Sequence, residues 1–537
     1  MRTVFYNARV YTGTLPLCQA FAVEDGRFVQ VGSDAELLAS ASENASAVDL
    51  QGRFVCAGFN DSHMHLLNYG RSLSEAPLAS HTDSLADMLA CLKDFLRDHP
   101  VQEGQWLTGR GWNQDFFTDV SRMPDRRDLD SVSSEIPIMI TRACGHCCVV
   151  NSRVLELAGI GPGAQSPDGG SIGMENGEPD GRLYENAIEL LNGFLPLPDK
   201  KALKEMILLA CAELNRYGIT SAQTDDYFLF RSIPFEAVNE AYRELEAEGR
   251  LSVRICEQAN FTAPDELKRF VESGNVTGAG SDLFRIGPLK IVGDGALGSR
   301  TAHLSLPYAD DGQNRGFSLL SDEQMNAMVS YAHAHGMQVA IHAIGDACLD
   351  QVLNAIDLAL QAHPRADHRH GVVHCQVSRP DQLRQIRELG LHVYAQSIFL
   401  DYDNHIVPRL LPPELAASSY SWKMLLKSGV SVSNGSDCPV ELPDVMEGIE
   451  CAVTRRSLDG TGPYLPQEAF TVQEALDSFT IRGAEASFEE KRKGRIQAGY
   501  LADFVVLGRD PFETDARKLH QIPVLATYLA GRCVYYR

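Results

Sequence analysis

The feature that most constrains this chain is a junction that recurs five times, in which an amphipathic helical stretch ends at a glycine and a short apolar, β-branched stretch follows within one residue. Gly218 precedes 219–223, Gly249 precedes 251–256, Gly336 precedes 337–341, Gly390 precedes 391–395 and Gly429 precedes 430–433. Glycine accepts the left-handed conformation at a helix C-terminus without a Cβ clash, so each junction reads as helix, stop, strand. Strands alternating with helices imply a parallel sheet. Apolar runs at 55–60, 288–293 and 371–374 bring the expected strands to eight, the number that closes an α/β barrel of the TIM type, (β/α)8.

Segment 71–200 fits none of these repeats and reads as a long insertion after the first barrel strand. Both ends of the chain carry short β segments separated by turn residues. The expected organisation is a small β-sandwich domain from 1–54 and 480–537, and a barrel domain over 55–479 that includes the insertion 71–200.

Composition narrows the function classes. The 537 residues are 44% hydrophobic and 22% charged, enough apolar material for a large core. A net charge of −23 opposes binding to nucleic acid or anionic bilayers, both of which are held through Lys and Arg. No stretch approaches the roughly 20 apolar residues of a membrane span, and 1–13 alternates like a strand instead of resembling a secretion signal. The expectation is a soluble cytoplasmic protein with a small-molecule substrate and no nucleic-acid or membrane partner. Thirteen cysteines, an odd number lying mostly singly, suit a reducing compartment in which Cys is a small buried hydrophobe.

The strongest local motif is GFNDSHMH at 58–65. Residues two apart on a strand point to the same side, so His63 and His65 both face the barrel axis, where two imidazoles can hold one metal ion. Four more residues of ligand type fall at or just past the C-terminal ends of later strands: Lys290, His342, His374 and Asp437. Barrel enzymes assemble their active sites at that end. Elsewhere, Cys144 and Cys147 have C-x-x-C spacing without a second pair, and His333 and His335 read as last-turn residues that complement a helix dipole before Gly336.

Several stretches in order along the chain resemble the metal-dependent amidohydrolase superfamily, and within it the amidohydrolase family 3 branch that includes N-substituted formamide deformylases. They are GFNDSHMHL at 58–66, GWNQ at 111–114, GHCCVVNS at 145–152, LKIVGDGALGSRTA at 289–302, IHAIGD at 341–346, SDCPV at 436–440 and GRIQAGYLADFVVL at 494–507. The resemblance implies a deformed barrel with a β-sandwich and a long insertion. It also implies that His63 and His65 bind a more buried metal and His342 and His374 a more exposed one, that Lys290 carboxylated by CO2 bridges the two, and that Asp437 completes the site as proton carrier. Trp112, Gln114 and His146 fall where the resemblance expects substrate contacts, and Asp294 and Arg300, just beyond Lys290, are candidates for orienting substrate. The expected cofactor is a divalent metal, zinc, at one or two ions per chain, in a chain that can form a homo-oligomer.

The activity so implied is hydrolysis of a non-peptide carbon–nitrogen bond, of an amide or N-substituted formamide, by metal-activated water. The rivals are a single-metal deaminase or an esterase or lactonase on the same barrel, and a scaffold that has lost catalysis. Lys290 and the sequence AIGD after His342 disfavour deamination, which relies on a Glu near the strand-five His. The presence of all six ligand candidates disfavours the scaffold.

Overall fold

The computed structural model describes residues 2–39, 45–101, 104–142, 147–167, 170–191, 193–230 and 232–537. The chain divides into two compact units, Met1–Asn68 with Ala210–Arg537, and Tyr69–Leu209.

The first unit contains an eight-stranded parallel sheet that nearly closes into a barrel. Its strands are β1 (Phe59–Met64), β2 (Ile219–Thr224), β3 (Arg254–Asn260), β4 (Phe284–Val292), β5 (Val339–Ala343), β6 (Gly371–His374), β7 (His392–Ala395) and β8 (Val432–Asn434), hydrogen-bonded in that order. All five junction glycines have positive φ, between 65° and 94°, as a helix stop requires.

Two expected strands are displaced. Residues 55–57 end the long strand Ser46–Ala57 of a different sheet, and β1 begins only at Phe59. The chain passes between the sheets at Gly58, where a Cβ would lie 2.3 Å from Thr220 Oγ1. The third strand runs to Asn260 because Glu257, Gln258 and Asn260 are buried despite their polarity, a burial that counting apolar residues does not reveal.

The second sheet of this unit has seven strands drawn from both termini, in the order Arg532–Tyr536, Val524–Leu529, Phe504–Leu507, Ser46–Ala57, Thr3–Val10, Ala20–Glu24, Arg27–Gly32. It curls over an aromatic core in which Phe28 and Phe504 rings approach to 6.1 Å and Phe5 stacks on Phe21 at 5.0 Å. A buried ion pair joins it to β3: Arg254 Nε and Nη2 donate to the two oxygens of Asp503 at 2.6 and 2.9 Å.

The unit Tyr69–Leu209 has its own six-stranded sheet, and Trp112, Leu107, Leu129 and Ile138 belong to one of its cores. The described cysteines are free thiols, all buried except Cys18 and Cys533. Among the described residues no helix is long and apolar enough to cross a membrane.

At the N-terminal end of the barrel three histidines form a closed network. His335 bonds within its helix to Tyr331 O, as a last-turn residue can, but His333 is buried and meets His370. The Val339 N–H donates to His370 Nδ1, so His370 Nε2 carries the proton and donates to His333 Nδ1, whose own Nε2–H donates to His363 O. His368 accepts from the His370 N–H and donates to Leu389 O. Each ring is therefore used at both nitrogens as a neutral imidazole. Burial, with His368 and Arg365 adding to it, pushes His370 down to about 2, and burial also lowers His333 and His368.

An unfolded histidine titrates near 6.5, so the unfolded chain takes up these protons first. The stability they contribute is complete above about pH 6.5 and falls on acidification by up to about 1.4 kcal/mol per pH unit for each ring. In His370→Asn, whose amide oxygen can still accept from Val339, the thermal midpoint is expected to fall less steeply between pH 7.5 and pH 5 than in the native chain. Equal slopes would show that the cluster does not set the acid sensitivity.

Candidate metal centre

The site is built across the gap between β1 and β8, which stand at opposite ends of the hydrogen-bonded strand order. Asp61 spans that gap. Its carboxylate accepts the His63 N–H at 3.2 Å, the Ser436 N–H at 3.1 Å and the Ser436 hydroxyl at 2.5 Å. Ser433 Oγ donates to Ser62 Oγ at 2.8 Å, the Asp437 N–H to His63 O at 2.8 Å, and the His65 N–H to Cys438 O at 2.8 Å. Burial pushes the Asp61 carboxyl up to about 7 despite these donors. Gly435 lets the loop approach: a Cβ there would lie 2.5 Å from His63 N and 2.7 Å from His63 O. Two residues on, Asp437 adopts φ 58°, a left-handed conformation that Asp tolerates better than most residues.

This closure brings three side chains into contact. His63 Nε2 lies 3.3 Å and His65 Nε2 2.9 Å from Asp437 Oδ1. One donor atom from each of the three falls within 4.8 Å of the others, close enough to share a metal ion. Imidazole nitrogens and a carboxylate oxygen are donors that zinc and similar divalent ions take, so the set fits such an ion chemically.

The far side of each ring is fixed. His63 Nδ1 meets Gln258 Oε1 at 2.8 Å, and Gln258 Nε2 donates to Ser62 O, which sets the amide so that its oxygen faces the ring. His65 Nδ1 meets Asp225 Oδ1. His374 Nδ1 meets Gln396 Oε1 at 2.8 Å, with Gln396 Nε2 on Tyr394 O. Oxygen acceptors on three Nδ1 atoms put a proton there; for His63 and His65 the Asp437 carboxylate faces Nε2 as well, the edge that would turn to a bound ion. His342 is turned the other way: its Nε2 meets Gly295 O at 3.1 Å and Nδ1 has no hydrogen-bond partner among the described residues.

The rings form a chain, with centroids 5.7 Å apart for His63 and His374 and 4.4 Å for His374 and His342. Lys290 is 2% exposed, and its Nζ lies 3.5 Å from Asp225 Oδ2. Burial lowers His63 and His374, with Lys290 adding to the first and His342 to the second. Burial would lower His65 too, but the carboxylates of Asp225 and Asp437 on its two nitrogens raise it well above the ordinary value. Conversely, His63 and His65 hold the Asp437 carboxyl well below the usual range against its burial.

The residues expected to contact substrate have other partners. Trp112 is fully buried in the core of its own unit. Gln114 Oε1 accepts from Arg142 Nε at 2.9 Å. The buried Asp294 carboxylate accepts the backbone N–H of Ile344, Gly345 and His303 at 2.8 to 3.0 Å, which makes it a clamp on the loops after β4 and β5. Arg300 pairs with Asp310 at 2.5 Å. His146 and Cys144 lie outside the described residues.

Sequence reasoning missed Asp61, Asp225, Gln258 and Gln396, which orient the expected ligands. For Asp225 a signal existed, since it immediately follows the apolar run of β2, where site residues gather.

Gly435→Ala is expected to push the β8 loop off β1, because the atoms it meets at His63 are backbone. Zinc affinity measured by chelator competition should fall by about tenfold or more, with the circular dichroism of the fold retained. Native affinity in this variant would show that the close approach does not hold the site together.

Comparison with known proteins gives the family. The sequence profile of the amidohydrolase family matches residues 46–535. The chain is 32% identical to YtcJ of Bacillus subtilis (strain 168), over 100% of this chain and 99% of that protein. It is 28% identical to the N-substituted formamide deformylase of Arthrobacter pascens, over 99% and 97% respectively. Among solved structures it superposes on an uncharacterized metal-dependent hydrolase from Pyrococcus furiosus with a TM-score of 0.79 and 27% identity, covering 96% of this chain and 100% of that one. With a profile match over most of its length and a barrel that carries a His, His, Asp donor set at its C-terminal mouth, the chain belongs to the amidohydrolase family.

Proposed function

We propose that this protein hydrolyses a non-peptide carbon–nitrogen bond, that of an amide or N-substituted formamide of modest size, by direct attack of water without a covalent enzyme intermediate. The observation that carries the reading is the meeting of His63, His65 and Asp437, with one donor atom each inside 4.8 Å, at the C-terminal ends of parallel strands. In this reading the three hold one zinc ion, and His342 and His374 hold a second. Lys290 would take part in holding these ions only as a carbamate formed with CO2, since a free ammonium cannot ligate a cation. When bound, the metal supplies Lewis acidity that acidifies water and polarises the scissile carbonyl.

The chain's own groups do the rest. Asp437 Oδ1 is held by the two imidazoles, while Oδ2 makes no hydrogen bond among the described residues. Because His63 and His65 keep this carboxyl ionised, it can take the proton of the attacking water. It then returns that proton to the departing nitrogen, which leaves poorly as an anion. Gln258, Asp225 and Gln396 keep the rings from turning during that transfer.

The segments that follow β7 and β8 carry Asp401 and Asp403 on the helix Leu400–Leu410, Glu441 in a loop and Glu447 on the helix Val445–Thr454, close enough for their charges to interact. Burial together with Asp401 and Asp403 pushes Glu441 up to about 7. The 28% identity to a formamide deformylase points to the same bond class.

Zinc-loaded protein assayed against N-formyl amines, N-acyl amines, lactams and esters is expected to turn over a member of the amide group and to lose that activity on chelation. Zinc-bound protein inert toward every amide would refute the bond class. In Asp437→Asn, kcat is expected to fall by about 10²–10⁴-fold, with zinc per chain near the native value. An unchanged rate would remove Asp437 from proton transfer.

A further inference from the structure

Asp225, at the end of β2, is used by none of the proton transfers above, yet it is 3% exposed and touches two of the expected ligands. Its Oδ1 meets His65 Nδ1. Its Oδ2 lies 3.5 Å from Lys290 Nζ and accepts from Asn260 Nδ2 at 3.2 Å. Its own N–H donates to Met64 O, one residue before His65, at 3.2 Å. A single residue of β2 thus reads the positions of β1, β3 and β4 at the mouth of the barrel.

The backbone that carries it is fixed independently. The adjacent Asp226 takes different partners, accepting from Leu67 N–H and Thr224 Oγ at 2.8 Å each and from the Tyr242 hydroxyl, while its N–H donates to buried Glu257 at 2.9 Å. With that turn anchored, the Asp225 carboxylate has a defined direction before any ion arrives. Packing alone does not call for a charge here. A buried ion pair contributes little net stability compared with apolar side chains of similar volume, whereas a metal-binding imidazole gains orientation and basicity from a carboxylate on its far nitrogen.

We propose that Asp225 is a positioning residue of the metal centre, fixing the proton of His65 on Nδ1 so that Nε2 is presented to the ion beside Asp437. The proposal rests on the reading of His65 as a ligand and goes beyond it by naming what decides which nitrogen binds.

The test measures zinc affinity by chelator competition, together with the visible spectrum of the cobalt-substituted protein, in the native chain, Asp225→Ala, Asp225→Asn and His65→Ala. Asparagine keeps an oxygen that can accept from His65 Nδ1–H but removes the negative charge. Asp225→Ala is expected to weaken zinc binding by about 10–100-fold and to alter the cobalt spectrum. Asp225→Asn should recover most of that affinity and a native-like spectrum. An alanine variant that binds zinc as the native chain does, while His65→Ala does not, overturns the role of Asp225 and leaves His65 as a ligand. An asparagine variant as weak as alanine also overturns it, because the effect would then come from the lost charge and not from the imidazole. If His65→Ala itself binds zinc at native strength, the centre as read fails and this proposal fails with it.

Discussion

Because β1 and β8 lie at opposite ends of the strand order, Asp437 is brought onto His63 and His65 by the contacts that close the gap: the carboxylate of Asp61, the Ser62–Ser433 contact, the backbone bonds from Asp437 N–H to His63 O and from His65 N–H to Cys438 O, and the bare Cα of Gly435. A carboxylate buried at that gap is costly, and three donors from the two sides offset the cost only if the sides stay together. The geometry of the donor set is therefore a consequence of how the barrel closes. The loop after β8 can approach no closer than the backbone of His63 allows, and Asp437 takes a left-handed conformation just where that loop turns back toward the imidazoles.

Around this gap the candidate ligands are set by partners on neighbouring strands. Gln258 of β3 turns His63, Asp225 after β2 turns His65, and Gln396 after β7 turns His374. Each partner is an oxygen acceptor on Nδ1, so the pattern is one of proton placement and not only of packing. His342 departs from it by engaging Gly295 O through Nε2, and its Nδ1 has no hydrogen-bond partner among the described residues. Asp294 Oδ1 lies 3.3 Å from His342 Nε2, and its carboxylate also clamps the backbone of Ile344 and Gly345, so that the turn after β5 is fixed next to His342.

Much of the fold was legible in the sequence because glycine has a physical signature: a helix that must stop and feed a strand needs a residue free to adopt positive φ, and the five junction glycines do so. The expected ligands were legible because His63 and His65 share strand parity and the others end apolar runs. What escaped is equally physical. The first barrel strand starts after Gly58, and the apolar run 55–57 belongs to another sheet, a distinction invisible when both neighbours are hydrophobic. β3 looked too polar to continue, since Gln258 and Asn260 are buried only because other polar groups wait for them across the barrel. Trp112 and Arg300, residues of suitable chemistry near family-like motifs, have local partners that the sequence did not reveal, a core in one case and Asp310 in the other.

The central claim is that side chains from the first strand and the loop after the eighth meet at one ion. A crystal of zinc-soaked protein, with anomalous scattering recorded at the zinc edge, tests it directly. The account predicts a peak about 2.0–2.2 Å from His63 Nε2, His65 Nε2 and a carboxylate oxygen of Asp437. A fully occupied zinc elsewhere, with these three groups free of it, would contradict the account.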